Sequence, residues 1–102
     1  MLFRSVVSDT VEDHGTQALL CIRKLEEQLQ LFQHLVAIEA MVAAQAVDLR
    51  SGARLGRGTR LIFDAVRAVV PALAGDRPPG SDAMLIGAAL GAPALPAALR
   101  GL

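Results

Sequence analysis

The apolar positions in the first half of the chain recur at helical intervals. Leu25, Leu29, Phe32 and Val36 follow one another every three or four residues, which keeps their side chains on one helix face. Ile22, Leu35, Ile38 and Val42 widen that stripe, while Arg23, Lys24, Glu26, Glu27 and Gln30 form a solvated opposite side. The pattern predicts one long helix from about residue 10 to residue 49. Its start is marked by Asp9 with Glu12, or Thr10 with Asp13, both at capping-box spacing. Ser51-Gly52, just after Asp48-Leu49-Arg50, is the stop signal.

From Leu35 to Val47 the polar face disappears, and eleven of thirteen residues are apolar. A helix that is apolar all round has to be covered all round, and one of about forty residues is roughly 60 Å long. The helices that follow are too short to wrap it. Cover is therefore expected from chain or subunits beyond these residues, as in a bundle or oligomer core. Glu39 and Gln45 interrupt the run, and buried polar groups need partners. They are expected to bond across helices of neighbouring subunits and fix register; the alternative is that Glu39 simply reaches solvent.

A Gly- and Arg-rich connector occupies 50–58. Thr59 is a suitable N-cap for a second helix at about 60–69, with Leu61, Ile62, Ala65, Val66 and Val69 inward. Pro71 ends it, because the residue before a proline is pushed out of helical geometry. Gly75-Asp76-Arg77-Pro78-Pro79-Gly80 is a turn-rich loop, and Ser81 or Asp82 caps a last helix at about 82–90. The tail, with Pro93, Pro96 and Gly101, is expected to be irregular and loosely held. Nothing reads as a strand. The expected fold is all-α, one long helix followed by two short helices, part of a multi-helix bundle.

Composition narrows the function classes. Alanine supplies much of the 53% apolar content and suits closely packed helices. Net charge is zero, but residues 1–50 carry four Arg/Lys against seven Asp/Glu, and residues 51–102 carry six Arg against three Asp. That mild asymmetry does not point to nucleic acid. Arg50, Arg54, Arg57 and Arg60 cluster near the connector without a phosphate-loop pattern, which favours a solvated loop or salt bridges to the acidic long helix. The single Cys21 forms no internal disulfide and is expected to be a small buried apolar residue. His14 and His34 are about 30 Å apart on one helix and make no metal site. The most apolar window is too short for a membrane span, and a soluble, cytoplasmic protein is expected.

Three stretches in order resemble the histidine and aromatic amino acid ammonia-lyases, in their C-terminal part. The first is Val11-Glu12-Asp13-His14; the second runs from Ala37-Ile38-Glu39-Ala40 to Ala44-Gln45-Ala46-Val47-Asp48-Leu49-Arg50. The third is Leu55-Gly56-Arg57-Gly58-Thr59, then Val70-Pro71-Ala72-Leu73 and Asp76-Arg77-Pro78. The resemblance implies a homotetramer built around long helices, with active sites composed from several subunits. It implies elimination of ammonia from an amino acid to give an unsaturated acid, assisted by a methylidene-imidazolone formed from Ala-Ser-Gly, with a tyrosine as base.

The chain contains no Ala-Ser-Gly and no Tyr, so it carries no cofactor-forming segment and is not expected to be active alone. Met1 directly ahead of the matching region suggests a split subunit, a gene remnant or a truncated reading frame. The resemblance makes Glu12 the one substrate-binding candidate: in histidine-type members a glutamate there lies near the substrate side chain, and a carboxylate can hydrogen-bond an imidazole. Val11 departs from the usual Gln of those members. Glu12 alternatively serves as a capping carboxylate, with Asp13 and His14 an ordinary helix start. Expected partners are further copies of the chain or a complementary N-terminal lyase chain. The rival readings are a non-catalytic helical oligomerisation or interaction protein and, more distantly, a basic-loop anion or nucleic-acid binder.

Overall fold

The structure, a computed structural model, describes residues 4–5 and 15–102. The chain divides into two units, Met1–Phe32 and Gln33–Leu102. In the first, β1 (Arg4–Ser5) pairs antiparallel with β2 (Gly15–Thr16), Arg4 opposite Thr16 and Ser5 opposite Gly15. Helix α1 (Ala18–Leu49) follows and continues into the second unit. The long helix therefore starts eight residues later than the expected residue 10. Gly15 and Thr16 explain the shift: glycine loses most entropy in a helix, β-branched threonine loses χ1 freedom, and both accept extended backbone. Gln17 provides the first carbonyl, accepting the amide of Cys21 at 2.9 Å. From Ala18 to Phe32 every side chain is exposed, the apolar stripe Leu25, Leu29 and Phe32 included.

The second unit holds the core. α1 ends at Leu49 as expected, and Gly52 takes φ +77°, a left-handed geometry that glycine accepts without strain. α2 spans Arg57–Val69, beginning three residues ahead of the expected residue 60. Gly56, extended at φ −66° and ψ 168°, is its N-cap, and its carbonyl accepts both the Arg60 amide (2.9 Å) and the Thr59 hydroxyl (3.0 Å). Thr59 thus bonds back within the first turn instead of preceding it. At the other end Val70 turns extended (φ −134°, ψ 122°) ahead of Pro71, as the proline requires.

α3 covers Asp82–Gly91, close to its expected bounds. The tail is not irregular: α4 spans Ala94–Arg100, and it packs on α2 and α3. Its two prolines explain why the sequence looked hostile to a helix and was not. Pro93 is the N-cap and Pro96 lies in the first turn, where a missing N–H costs nothing because that group has no intrahelical acceptor. Gly58, near the start of α2, offers room where Leu99 and Leu102 close over it.

Among the described residues the buried side chains are Ala37 and Ala44 of α1, Val66 of α2, Val70, and Ile86 of α3, with Ala40, Met41, Phe63 and Leu90 packed around them. Helix approach relies on small residues here. A Cβ placed on Gly87 would sit 3.7 Å from that of Ala37, so α3 lies close against α1. The core is thin, while Leu35, Val36, Ile38 and Val42 of α1 remain exposed. The apolar run is covered on one side only within this structure.

Candidate functional site

Two polar clamps and one apolar groove define the second unit. Gln45, half-buried on α1, bonds both backbone groups of Leu73: its Nε2 donates to the Leu73 carbonyl at 3.2 Å, and its Oε1 accepts the Leu73 amide at 2.9 Å. A primary amide can satisfy a peptide N–H and C=O together because it presents a donor and an acceptor side by side. The loop after Pro71 is thereby tied to α1. Gln45 was expected to reach a neighbouring subunit; its described partner is this loop of its own chain. Glu39 lies exposed.

The second clamp centres on Arg67 of α2. Its Nε donates to Asp48 Oδ2 at 2.7 Å, its Nη1 donates to the Val70 carbonyl at 3.1 Å, and Nη2 approaches the same Asp48 oxygen at 2.6 Å as an ion pair. The two side chains are only 17% and 30% exposed, which places this pair between a screened surface bridge and a buried one. Phe63 is flanked on its own helix by Arg60 and Arg67, whose guanidinium carbons lie 5.7 and 5.6 Å from the ring centroid. Those separations are within cation–π range. The connector arginines were expected to form a solvated loop or salt bridges to the acidic helix. The arginine that bridges to that helix is Arg67, which the sequence reading did not single out, while Arg50, Arg54, Arg57 and Arg60 are exposed. The signal for Arg67 was its position: one turn before the extended Val70, where a C-terminal arginine can reach freed carbonyls.

A cleft of about 460 Å³ lies beneath the tied loop, with Met41, Gln45, Arg67, Leu73 and Arg77 among its walls. Its polar walls bond one another, Arg77 pairing with Asp82 at 2.8 Å, so the cleft behaves as internal scaffolding. The groove is different. About 190 Å³ in volume, it runs between α1 and α2 with Ala40, Ala43, Val47, Leu55, Ile62 and Phe63 among its lining, and only Thr59 contributes a polar side chain. The Thr59 hydroxyl is engaged with the Gly56 carbonyl. The groove offers a seat for an apolar group.

Glu12, Asp13 and His14 lie outside the described residues, as does the expected capping box. Cys21 is exposed, contrary to the expectation of burial, because nothing in the described chain packs on that turn of α1. Among the described residues no group of three or more His, Cys, Asp or Glu could hold a metal ion, and no single helix is long and apolar enough to cross a membrane.

These features describe an all-α scaffold whose recognisable elements are helix-packing and connector segments. Residues 2–68 match the family model for aromatic amino acid lyases, and the chain belongs to that family. It is 42% identical over 66 residues to a histidine ammonia-lyase of Gloeobacter violaceus, a match covering 65% of this chain and 13% of that protein. Histidine ammonia-lyases of Alkaliphilus oremlandii and Natranaerobius thermophilus are each 39% identical, over 66 and 71 residues, covering 65% and 70% of this chain. The chain spans 13–14% of the length of these relatives. No solved structure matches it.

Proposed function

We propose that this chain is the C-terminal helical scaffold of a histidine-type aromatic amino acid ammonia-lyase, working in the cytoplasm and only together with the rest of that fold. The observation that carries the reading is the joint placement of family likeness and missing cover. The matched residues include α1, and α1 exposes Leu35, Val36, Ile38 and Val42 on a run that is apolar on every side. Fully burying an exposed side chain of this kind contributes about 1.5–3 kcal/mol. Covering Leu35 and Val42, 59% and 61% exposed, would therefore stabilise an assembly by a part of that each, and covering Val36 and Ile38, 37% exposed, by less. A complementary lyase chain, or several copies of the whole subunit, would supply that cover.

The residues present do not fit the family's electrophile, since no Ala-Ser-Gly occurs among them, and no Tyr is available as base. No catalytic step is assigned to this chain. Its contribution is positional: α1 and the loop tied to it by Gln45 hold packing surfaces in register. Glu12 is the one substrate contact we assign, a carboxylate suited to an imidazole N–H.

The test mixes the chain with the Gloeobacter violaceus histidine ammonia-lyase from which the matching segment has been removed. Histidine is then added and urocanate absorbance followed. Neither component is expected to be active alone, and the mixture is expected to gain activity. A stable complex without activity would replace this reading with that of a non-catalytic helical interaction protein.

A further inference from the structure

The groove between α1 and α2 shares two walls with a basic cleft. Val47 of α1 and Leu55 of the connector line both. The cleft, about 730 Å³ in volume, has Arg50, Ser51, Gly52 and Arg54 among its other walls. The groove holds about 190 Å³, and an apolar cavity of about 150 Å³ already accepts benzene. An apolar group of roughly six carbons therefore fits it. Arg50 follows Val47 by three residues, and its amide bonds the Ala46 and Val47 carbonyls, so it stands one turn beyond Val47 on the same side of the helix end. Arg54 directly precedes Leu55. Among the described residues neither arginine makes an ion pair, whereas Arg67 and Arg77 are committed to Asp48 and Asp82. An apolar chamber and two uncommitted cations thus lie on either side of the same two side chains.

We infer that groove and cleft together bind a free amphiphilic monocarboxylate, its apolar chain in the groove and its carboxylate on Arg50 and Arg54. A guanidinium presents paired N–H donors that match a carboxylate, and the pairing is charge-assisted. The groove supplies apolar burial and no competing polar group, since the Thr59 hydroxyl is already bonded to the Gly56 carbonyl. Neither half suffices alone: the arginines are solvated, and the groove takes only about one ring's volume. A ligand that joins both parts in one molecule gains from each. The occupant is a soluble acid, because a bilayer keeps its chains behind its headgroups and cannot lay one beside them in a groove. Every residue of the site belongs to the second unit. The site does not depend on the lyase reading, and its test is separate from complementation.

The test titrates octanoate into the full chain, below its micelle-forming concentration, and follows backbone amide NMR shifts. Far-UV circular dichroism confirms the helicity of each variant. Saturable one-to-one binding is expected, with a dissociation constant of about 0.1–1 mM and shifts centred on Ala43, Val47 and Leu55. Octan-1-ol has the same chain without the charge, and acetate has the charge with almost no chain. Each is expected to bind roughly tenfold more weakly or worse. The double variant Arg50→Gln with Arg54→Gln is expected to lose roughly tenfold in octanoate affinity, together with its salt dependence. Ala43→Phe plugs the groove from its exposed rim and is expected to abolish saturation. Arg100→Gln on α4, which lines neither cavity, is expected to leave binding unchanged. Absence of saturation in the wild type, or octan-1-ol binding as tightly as octanoate, overturns the inference. So does an Arg100→Gln loss as large as that of the double variant, or an Ala43→Phe chain that binds like the wild type.

Discussion

Replacing Gln45 with methionine keeps side-chain length and apolar volume while deleting both hydrogen bonds to Leu73. Those bonds, 3.2 and 2.9 Å long, are the ones described between α1 and the loop that follows Pro71. A hydrogen bond contributes about 0.5–1.5 kcal/mol net, and two would give up to about 3 kcal/mol. Both bonds are exposed, however, so water can re-solvate the freed Leu73 groups and the loss falls to about 1 kcal/mol, near the lower bound. That corresponds to a roughly fivefold rise in loop opening. Amide hydrogen exchange at Leu73 reads this directly, because its N–H is the group that Gln45 protects. The expected pattern is loss of protection at Leu73 with little change at Val66 and Ile86 in the core. Unchanged exchange at Leu73, or an equal loss at every core amide, would refute the clamp. Gln45→Glu adds a sign test: an ionised carboxylate accepts the Leu73 amide but repels its carbonyl, so protection should improve once the pH falls below about 4 and the acid can donate.

Three further outcomes follow from other parts of the molecule. Ile86→Ala removes a fully buried side chain from a thin core and should destabilise the second unit by about 2–5 kcal/mol in denaturant melts. Arg67→Lys should behave almost like Arg67→Met, each costing about 1 kcal/mol, because lysine cannot reach Asp48 and the Val70 carbonyl together or stack in the same way on Phe63. The difference from wild type should shrink in high salt as the ion pair is screened. Gly52→Ala forces a side chain into φ +77° and should cost about 1 kcal/mol in thermal melts, against a near-zero effect for Gly75→Ala, where the backbone is not left-handed and nothing lies within 4 Å.

The helical fold was legible because periodicity, glycine stops and the Val70-Pro71 pair all report local backbone preferences, and local preferences dominated there. The second and third helices fell close to their expected bounds for that reason. The start of α1 was misplaced because two capping boxes near residue 10 outweighed Gly15 and Thr16, whose extended pairing with β1 is a non-local contact. The tail was misjudged because proline was read as a breaker without counting its position from the helix start. At Pro93 and Pro96 the missing N–H is harmless. Gln45 was recognised as polar within an apolar run, but its partner, a backbone 28 residues away, could not be read from spacing. Cys21 was expected inside because cysteine usually is. On a helix turn without cover, residue type does not decide burial.

The Asp48-Leu49-Arg50 end of α1 bears on packing. Asp48 is held by Arg67, and with it the end of the long helix is fixed against α2. The chain contains no Ala-Ser-Gly and no Tyr.

A chimera tests that division of labour most directly. In it, the matching segment of the Gloeobacter violaceus histidine ammonia-lyase is replaced by the corresponding residues of this chain, and urocanate formation is measured with Glu12 and with Glu12→Gln. The account predicts an active, assembled chimera whose KM for histidine rises about tenfold or more in the Glu12→Gln variant, as expected for loss of a charge-assisted hydrogen bond. An assembled but inactive chimera, or one indifferent to Glu12→Gln, would contradict it.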